Sequence, residues 1–198
     1  MQEVKIIKSK LFMWYFIDSA QEKGVVYLNC SSEKMAKWFF TKSPSFTEVD
    51  NIVFKAYTED GMTSEILEKT DLLRNGRFGG IPIVSECFKD KMSKYLSKLI
   101  DFYPCQVTIN EDNHMFFLCQ LKNILPIIDY ENSTYRELID GSKILDDPIA
   151  IKSDVDERLL MVRDSKSPSI VVVSDLFKEV VEQEGLNIRF YRVDDSFW

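Results

Sequence analysis

Between Gly80 and Ile109 the apolar residues change their spacing twice, and few folds accommodate that. A short continuous run from Ile81 to Val84 meets Ser85 and Glu86, and apolar residues then return at Phe88, Met92, Tyr95, Leu96 and Leu99, the interval of one helical face. Ser85 stands where a helix N-cap belongs, its hydroxyl able to accept a bond from a free first-turn amide, with Glu86 near the positive end of the helix dipole. Lys89, Lys91, Lys94 and Lys98 fall off the apolar face. Beyond Asp101 the period becomes two, through Phe102, Tyr103, Cys105, Val107 and Ile109. The stretch therefore reads as strand, capped helix, strand.

The same plan returns near the C-terminus. Ile81 to Asp90 set against Ile170 to Glu179 matches at five of ten positions, namely Ile170, Val173, Ser174, Phe177 and Lys178. The second helix keeps Leu176, Phe177, Val180 and Val181 on one side and stops at Gly185, a residue suited to the left-handed turn past a helix end. Phe190-Tyr191 then repeats Phe102-Tyr103. The helix surfaces differ: lysines dominate the first, whereas Asp175, Glu179, Glu182 and Glu184 surround Lys178 on the second. What repeats is the packing face and the cap, so we expect repeat units at 80–109 and 169–193 that are architectural rather than paired binding sites.

A chain of 198 residues with 45% hydrophobic side chains can bury a sizeable core. Its formal charge of −7 argues against nucleic acid and acidic membranes as partners, since phosphate binding needs clustered Lys and Arg. Cys30, Cys87, Cys105 and Cys119 are scattered, and His114 is the single histidine, so no metal or other cofactor is expected. Cys87, Cys105 and Cys119 read as small core residues in a reducing compartment. The apolar run Leu11 to Ile17 is short, follows Glu3 and ends at Asp18, which reads as a buried strand rather than a signal peptide. A cytoplasmic protein is the expectation.

In chain order, strands are expected at Val4 to Ile7, Leu11 to Ile17 and Val25 to Asn29, paired as a meander. Ser31 or Ser32 caps a short helix bearing Met35, Trp38 and Phe39, ended by Ser43-Pro44. Ile52 to Tyr57 is a strand, and Thr63 or Ser64 starts a helix running through Leu73. Asn110 to Asn113 turns a hairpin between Val107–Ile109 and His114–Cys119. Asn123 to Ile128 follows as a strand with Pro126 marking an edge or an end, then a turn at Asp129 to Ser133. Short strands are expected at Lys143 to Leu145, Ile149 to Ile151 and Leu159 to Val162. No low-complexity linker divides the chain. The reading is one strand-rich, mixed α+β domain over 1–198, with residues 1–76 as an N-terminal subdomain in the alternative.

No catalytic constellation assembles. Ser31 has the serine-x-x-lysine spacing with Lys34, but the companion motifs of such acyl enzymes are missing and a helix cap explains it. Ser85 and Ser174 sit at strand-to-helix turns without a G-x-S-x-G frame, and capping again accounts for them. The glycines at Gly76, Gly79 and Gly80 precede a strand, the wrong order for a phosphate cradle. His114 near Glu111 or Asp112 is the one acid–base pairing on offer, and on a hairpin flank it reads as a half-exposed polar residue.

The acids do cluster, at Asp146-Asp147, at Asp154, Asp156 and Glu157, and at Asp194-Asp195, beside the terminal Phe197-Trp198. None has the spacing of a calcium loop. Solvated loops are the plain reading, and an acidic surface that steers a basic protein partner is the functional one, with Trp198 as an aromatic anchor.

Gly80-Ile81-Pro82-Ile83-Val84-Ser85-Glu86, Phe102-Tyr103-Pro104, Leu121-Lys122-Asn123-Ile124, Ile128-Asp129-Tyr130-Glu131-Asn132-Ser133 and Val173-Ser174-Asp175 with Gly185-Leu186 occur in an order that resembles a bacterial immunity-protein family. That family, once described as a domain of unknown function, accompanies polymorphic toxins. The likeness spans roughly Asp71 to Val193, and departs from the family's closing Gly-Leu-x-Gly, since Ile188 stands at the second glycine. It implies a non-catalytic inhibitor that binds and neutralises a cognate toxin, with Ser85, Asp129, Ser133 and Ser174 as fold residues. The competing expectations are a small hydrolase using Ser or Cys with His114, and a protein-binding module unrelated to toxins.

Overall fold

The computed structural model describes residues 12–21, 25–29, 33–41, 53–58, 62–76 and 80–195. In chain order its strands and helices are β1 (Trp14–Ser19), β2 (Val25–Leu28), α1 (Glu33–Thr41), β3 (Phe54–Thr58), α2 (Ser64–Glu68), β4 (Leu72–Asn75), β5 (Ile83–Ser85), α3 (Glu86–Leu96), β6 (Ile100–Ile109) and β7 (Asp112–Leu121). They continue with β8 (Ile124–Leu125), β9 (Thr134–Glu137), β10 (Lys143–Asp146), β11 (Met161–Asp164), β12 (Val171–Ser174), α4 (Asp175–Gln183) and β13 (Ile188–Arg192).

Six strands close a barrel in the order β2-β3-β6-β7-β5-β4, and five form a sheet in the order β13-β1-β12-β11-β8. Alternation along each strand sorts side chains into three cores. Cys105, Val107, Phe116, Leu118, Ile83 and Leu73 point into the barrel, where Trp38 and Phe39 of α1 and Leu67 of α2 join them. Their neighbours Leu72, Val84, Phe117 and Cys119 point outward, yet they are equally buried, against Phe88 and Met92 of α3, Phe177 and Val181 of α4, and Tyr15 and Val173 of the sheet. The second half of β7 is therefore covered on both sides, which explains the apolar run from Phe116 to Cys119. On the far face of the sheet Trp14, Val162 and Val172 pack against Ile127, Ile128 and Ile149.

Both predicted caps form. The Ser85 hydroxyl accepts from the Phe88 amide at 3.0 Å and the Ser174 hydroxyl from the Phe177 amide at 3.3 Å. Gly185 takes the left-handed conformation with φ of 64°. In each strand–helix–strand stretch a third strand lies antiparallel between the other two: β7 between β5 and β6, and β1 between β12 and β13. The contrasting helix surfaces also find their reason. Lys91 Nζ donates to the Glu184 carbonyl at 2.7 Å, at the end of α4, and Lys94 meets the Glu184 carboxylate at 2.8 Å.

Several expectations need correcting. β1 and β2 do not form a meander, because β1 pairs with β12 and β13 while β2 pairs with β3 and β4. The helix capped by Thr63 stops at Glu68, and Leu72–Asn75 is a strand that pairs with β2 and β5. Ile149 to Ile151 supplies only an isolated bridge, Ile128↔Ile151, and the strand expected from Leu159 is shifted to Met161–Asp164. Cys87 is exposed, whereas Cys105 and Cys119 are buried as expected. The Val4 to Ile7 strand, the Ser31 and Ser32 caps and the Ser43-Pro44 stop lie outside the described residues.

Candidate interaction surface

The Asp147-Pro148 corner and the C-terminal end of β13 lie side by side, because the Ile149 amide donates to the Val193 carbonyl at 2.8 Å. That brings the Asp146-Asp147 and Asp194-Asp195 clusters into one neighbourhood. Most of this acidity is answered locally. Arg192 holds Asp194 through Nε at 2.9 Å and Nη2 at 2.5 Å, keeping its carboxyl below the usual range, and reaches Asp195 at 3.8 Å. Arg136 meets Asp146 at 3.4 Å. Asp147 has the opposite tendency: partial burial and then the neighbouring Asp146 push its pKa up.

Asp154, Asp156 and Glu157 occupy a separate turn. Arg158 binds Asp156 through its side chain and its own amide, drawing that carboxyl down to about 2. Asp154 and Glu157 are exposed. Trp198, the expected aromatic anchor, lies outside the described residues.

The residues weighed for chemistry are placed elsewhere. Ser85 donates to Asp71 Oδ1 at 2.6 Å, and Ser174 is fully buried, so both serve as caps rather than as open hydroxyls. His114 Nε2 lies 3.0 Å from the Ser64 hydroxyl, not from either of them. Burial drives the Cys105 thiol up to about 12 and pushes Cys119 higher, so neither is a thiolate near neutral pH. Among the described residues no group of three His, Cys, Asp or Glu side chains is arranged to hold a metal ion.

The strand expected at Lys143 to Leu145 is present as β10, but its partner β9 was not foreseen. β9 and β10 form a two-stranded ribbon separate from both larger sheets, pairing Tyr135 with Leu145 and Glu137 with Lys143. Tyr135, Leu138, Ile139 and Ile144 are all exposed, and Ile139 is wholly uncovered at 110% of its reference area. The foot of the ribbon is fixed: the Ser133 hydroxyl donates to the Asp129 carbonyl at 2.7 Å and accepts from the Ala150 amide at 3.0 Å. A signal for it was present, since Asp140-Gly141 sits between two apolar-bearing runs, the pattern of a hairpin turn.

A family model described as the immunity protein family Imm11 matches residues 26–195. The chain belongs to the Imm11 family. The match is wider than the likeness read from the motifs, taking in the barrel strands from Val26 onward and every strand of the sheet except β1. Where this Imm11 chain lacks the second closing glycine, the Asn187 amide donates to Asp71 Oδ2 at 2.7 Å and its side chain donates to the Lys69 carbonyl at 2.9 Å, so Ile188 can open β13 directly. No curated protein matches the chain closely.

Proposed function

We propose that this Imm11 protein binds a cognate bacterial toxin and neutralises it by direct contact, with no catalysis of its own. The match to the immunity family over residues 26–195 carries the reading. It is supported by a surface that offers exposed apolar side chains beside unpaired acids, which suits a protein partner of basic character. The overall charge of −7 argues against nucleic acid and membrane surfaces as alternatives. Asp147, Asp154 and Glu157 are the acids best placed to steer that partner, since Asp146, Asp156 and Asp194 spend their charge on arginines of this chain. We assign the protein to the cytoplasm of the toxin-producing cell, where the Cys105 and Cys119 thiols stay reduced. None of its described helices is long and apolar enough to cross a membrane. We also read the chain as one domain built on two related strand–helix–strand units, each split by an inserted antiparallel strand.

Co-expression with the product of the adjacent upstream gene tests this. Growth is rescued and the two proteins co-purify at equal stoichiometry; a neighbour that is harmless, or that still kills, defeats the proposal. The hydrolase alternative has one observation in its favour, the Ser64–His114 pair. Protection that survives His114→Ala removes it.

A further inference from the structure

We propose that the β9–β10 ribbon is the toxin-contacting element, and that its tip inserts into an apolar cleft on the toxin rimmed by lysine and arginine. The proposal rests on the immunity reading and adds the surface and the chemistry of its partner.

A two-stranded ribbon on its own is marginal in water, and exposed apolar side chains on it gain nothing until covered. Here Ile144 belongs to one face, Tyr135 to the other, and Leu138 and Ile139 to the tip. Nevertheless the tip is shaped. The Leu138 amide donates to the Ser142 carbonyl at 2.8 Å, the Gly141 amide to the Leu138 carbonyl at 2.9 Å, and Gly141 takes a φ of 81°. Asp140 Oδ1 accepts from the Ser142 amide at 3.0 Å and hydroxyl at 2.6 Å. A tip already folded in this way loses little freedom on docking, which favours tight association.

Charge chooses the occupant. Of the ribbon's two cations, Arg136 is held by Asp146, while Lys143 stands opposite Glu137 in the register, one charge offsetting the other. What remains at the tip is negative, Asp140, and Asp147 adds to it at the foot, where Glu131 shares a hollow with Lys152 and Lys166. Two copies of such a tip repel each other, and an anionic lipid surface repels it as well. A cleft with an apolar floor and a basic rim complements both features.

The test uses the full-length chain and a catalytically disabled form of the upstream gene's product, by titration calorimetry and stopped-flow mixing. Leu138→Ser with Ile139→Ser, both solvent-facing, leaves the melting temperature unchanged and weakens binding about 100-fold, as expected of a central anchor. Leu176→Ser, an exposed apolar position on α4 across the sheet, changes affinity less than about threefold. Asp140→Lys slows association about tenfold at low salt, and the difference closes at high salt. Wild-type affinity in the tip double variant overturns the proposal while leaving the immunity reading intact. So does a wild-type dimer that the tip variant dissolves, because a second copy is then the occupant. A wild-type chain that binds nothing of its neighbour's product fells the immunity reading and this assignment together.

Discussion

Asp164 has no exposed surface, yet it carries a carboxylate. It is kept charged by donors that converge on it: the amides of Ile127 at 3.0 Å, Ile128 at 3.2 Å, Lys166 at 2.8 Å and Ser167 at 2.7 Å, and the Tyr130 hydroxyl at 2.6 Å. Burial alone raises the pKa of this group, but the Tyr130 hydroxyl and the amides outweigh it and the net displacement is downward. Its contribution is therefore full above about pH 4, the unfolded carboxyl's range, and is lost as pH falls through the lower folded value. Tyr15 and Tyr130 act at the other end. Each is raised to about 12, by burial first and then by Asp175 or Asp164, so their stabilisation is complete below the unfolded value near pH 10 and disappears between about pH 10 and 12. Urea unfolding across pH should show both limbs, and Tyr130→Phe should flatten the alkaline one. Asp164→Asn places an amide donor against amide donors and should cost on the order of 3 kcal/mol in the same assay. None of this was legible from sequence, because the worth of Asp164 depends on which amides the 165–169 loop and Ile127-Ile128 turn towards it. Cys87 was legible and misread: one residue before Phe88, it falls outside the stripe that Phe88, Met92 and Leu96 define.

The elements were readable where their signals are local. Ser85 and Ser174 announced two helix starts, and replacing either with Ala should cost about 1 kcal/mol in thermal or chemical unfolding. Ser85→Ala should be the costlier of the two, since it also loses the bond to Asp71. The glycines differ more sharply. A side chain at Gly80, where φ is 83°, would put its Cβ 2.2 Å from the Ser169 carbonyl oxygen, whereas one at Gly185 meets nothing within 4 Å. Gly185→Ala should therefore cost only its backbone strain, about 1 kcal/mol, and Gly80→Ala clearly more, with denaturant midpoints ranking the two. Gly80 also accepts at 2.7 Å from Arg163, whose guanidinium donates as well to the Pro168 carbonyl and so ties the loop before β5 to the loop before β12. Leu72–Asn75 was hidden because its sequence continues a fair helix. Pairing with β2 and β5 on both edges overrides that propensity.

At the scale of the molecule, alternation foretold that the chain is rich in strands but not which strands share a sheet, since partner choice is decided by residues far apart. β1 is the extreme case. It fills the middle position between β12 and β13, and Tyr15 Oη donates to Asp175 Oδ1 at 2.9 Å across a separation of 160 residues. A chain beginning at Ala20 should lose the sheet's keystone; we expect it to be aggregated by size-exclusion chromatography and to unfold without a cooperative transition. A soluble truncation with a sharp transition would show that β12 and β13 close without it.

The seat of β1 bears on timing as well as strength. The first described strand finishes its pairing only when Ile188 to Arg192 have been made, and a ribosome adding about 5–20 residues per second reaches them roughly 10–35 seconds after Tyr15. Until then the newborn chain holds an unmatched strand, so only finished copies carry a completed sheet, and a store of them made in advance is worth more than synthesis begun on demand.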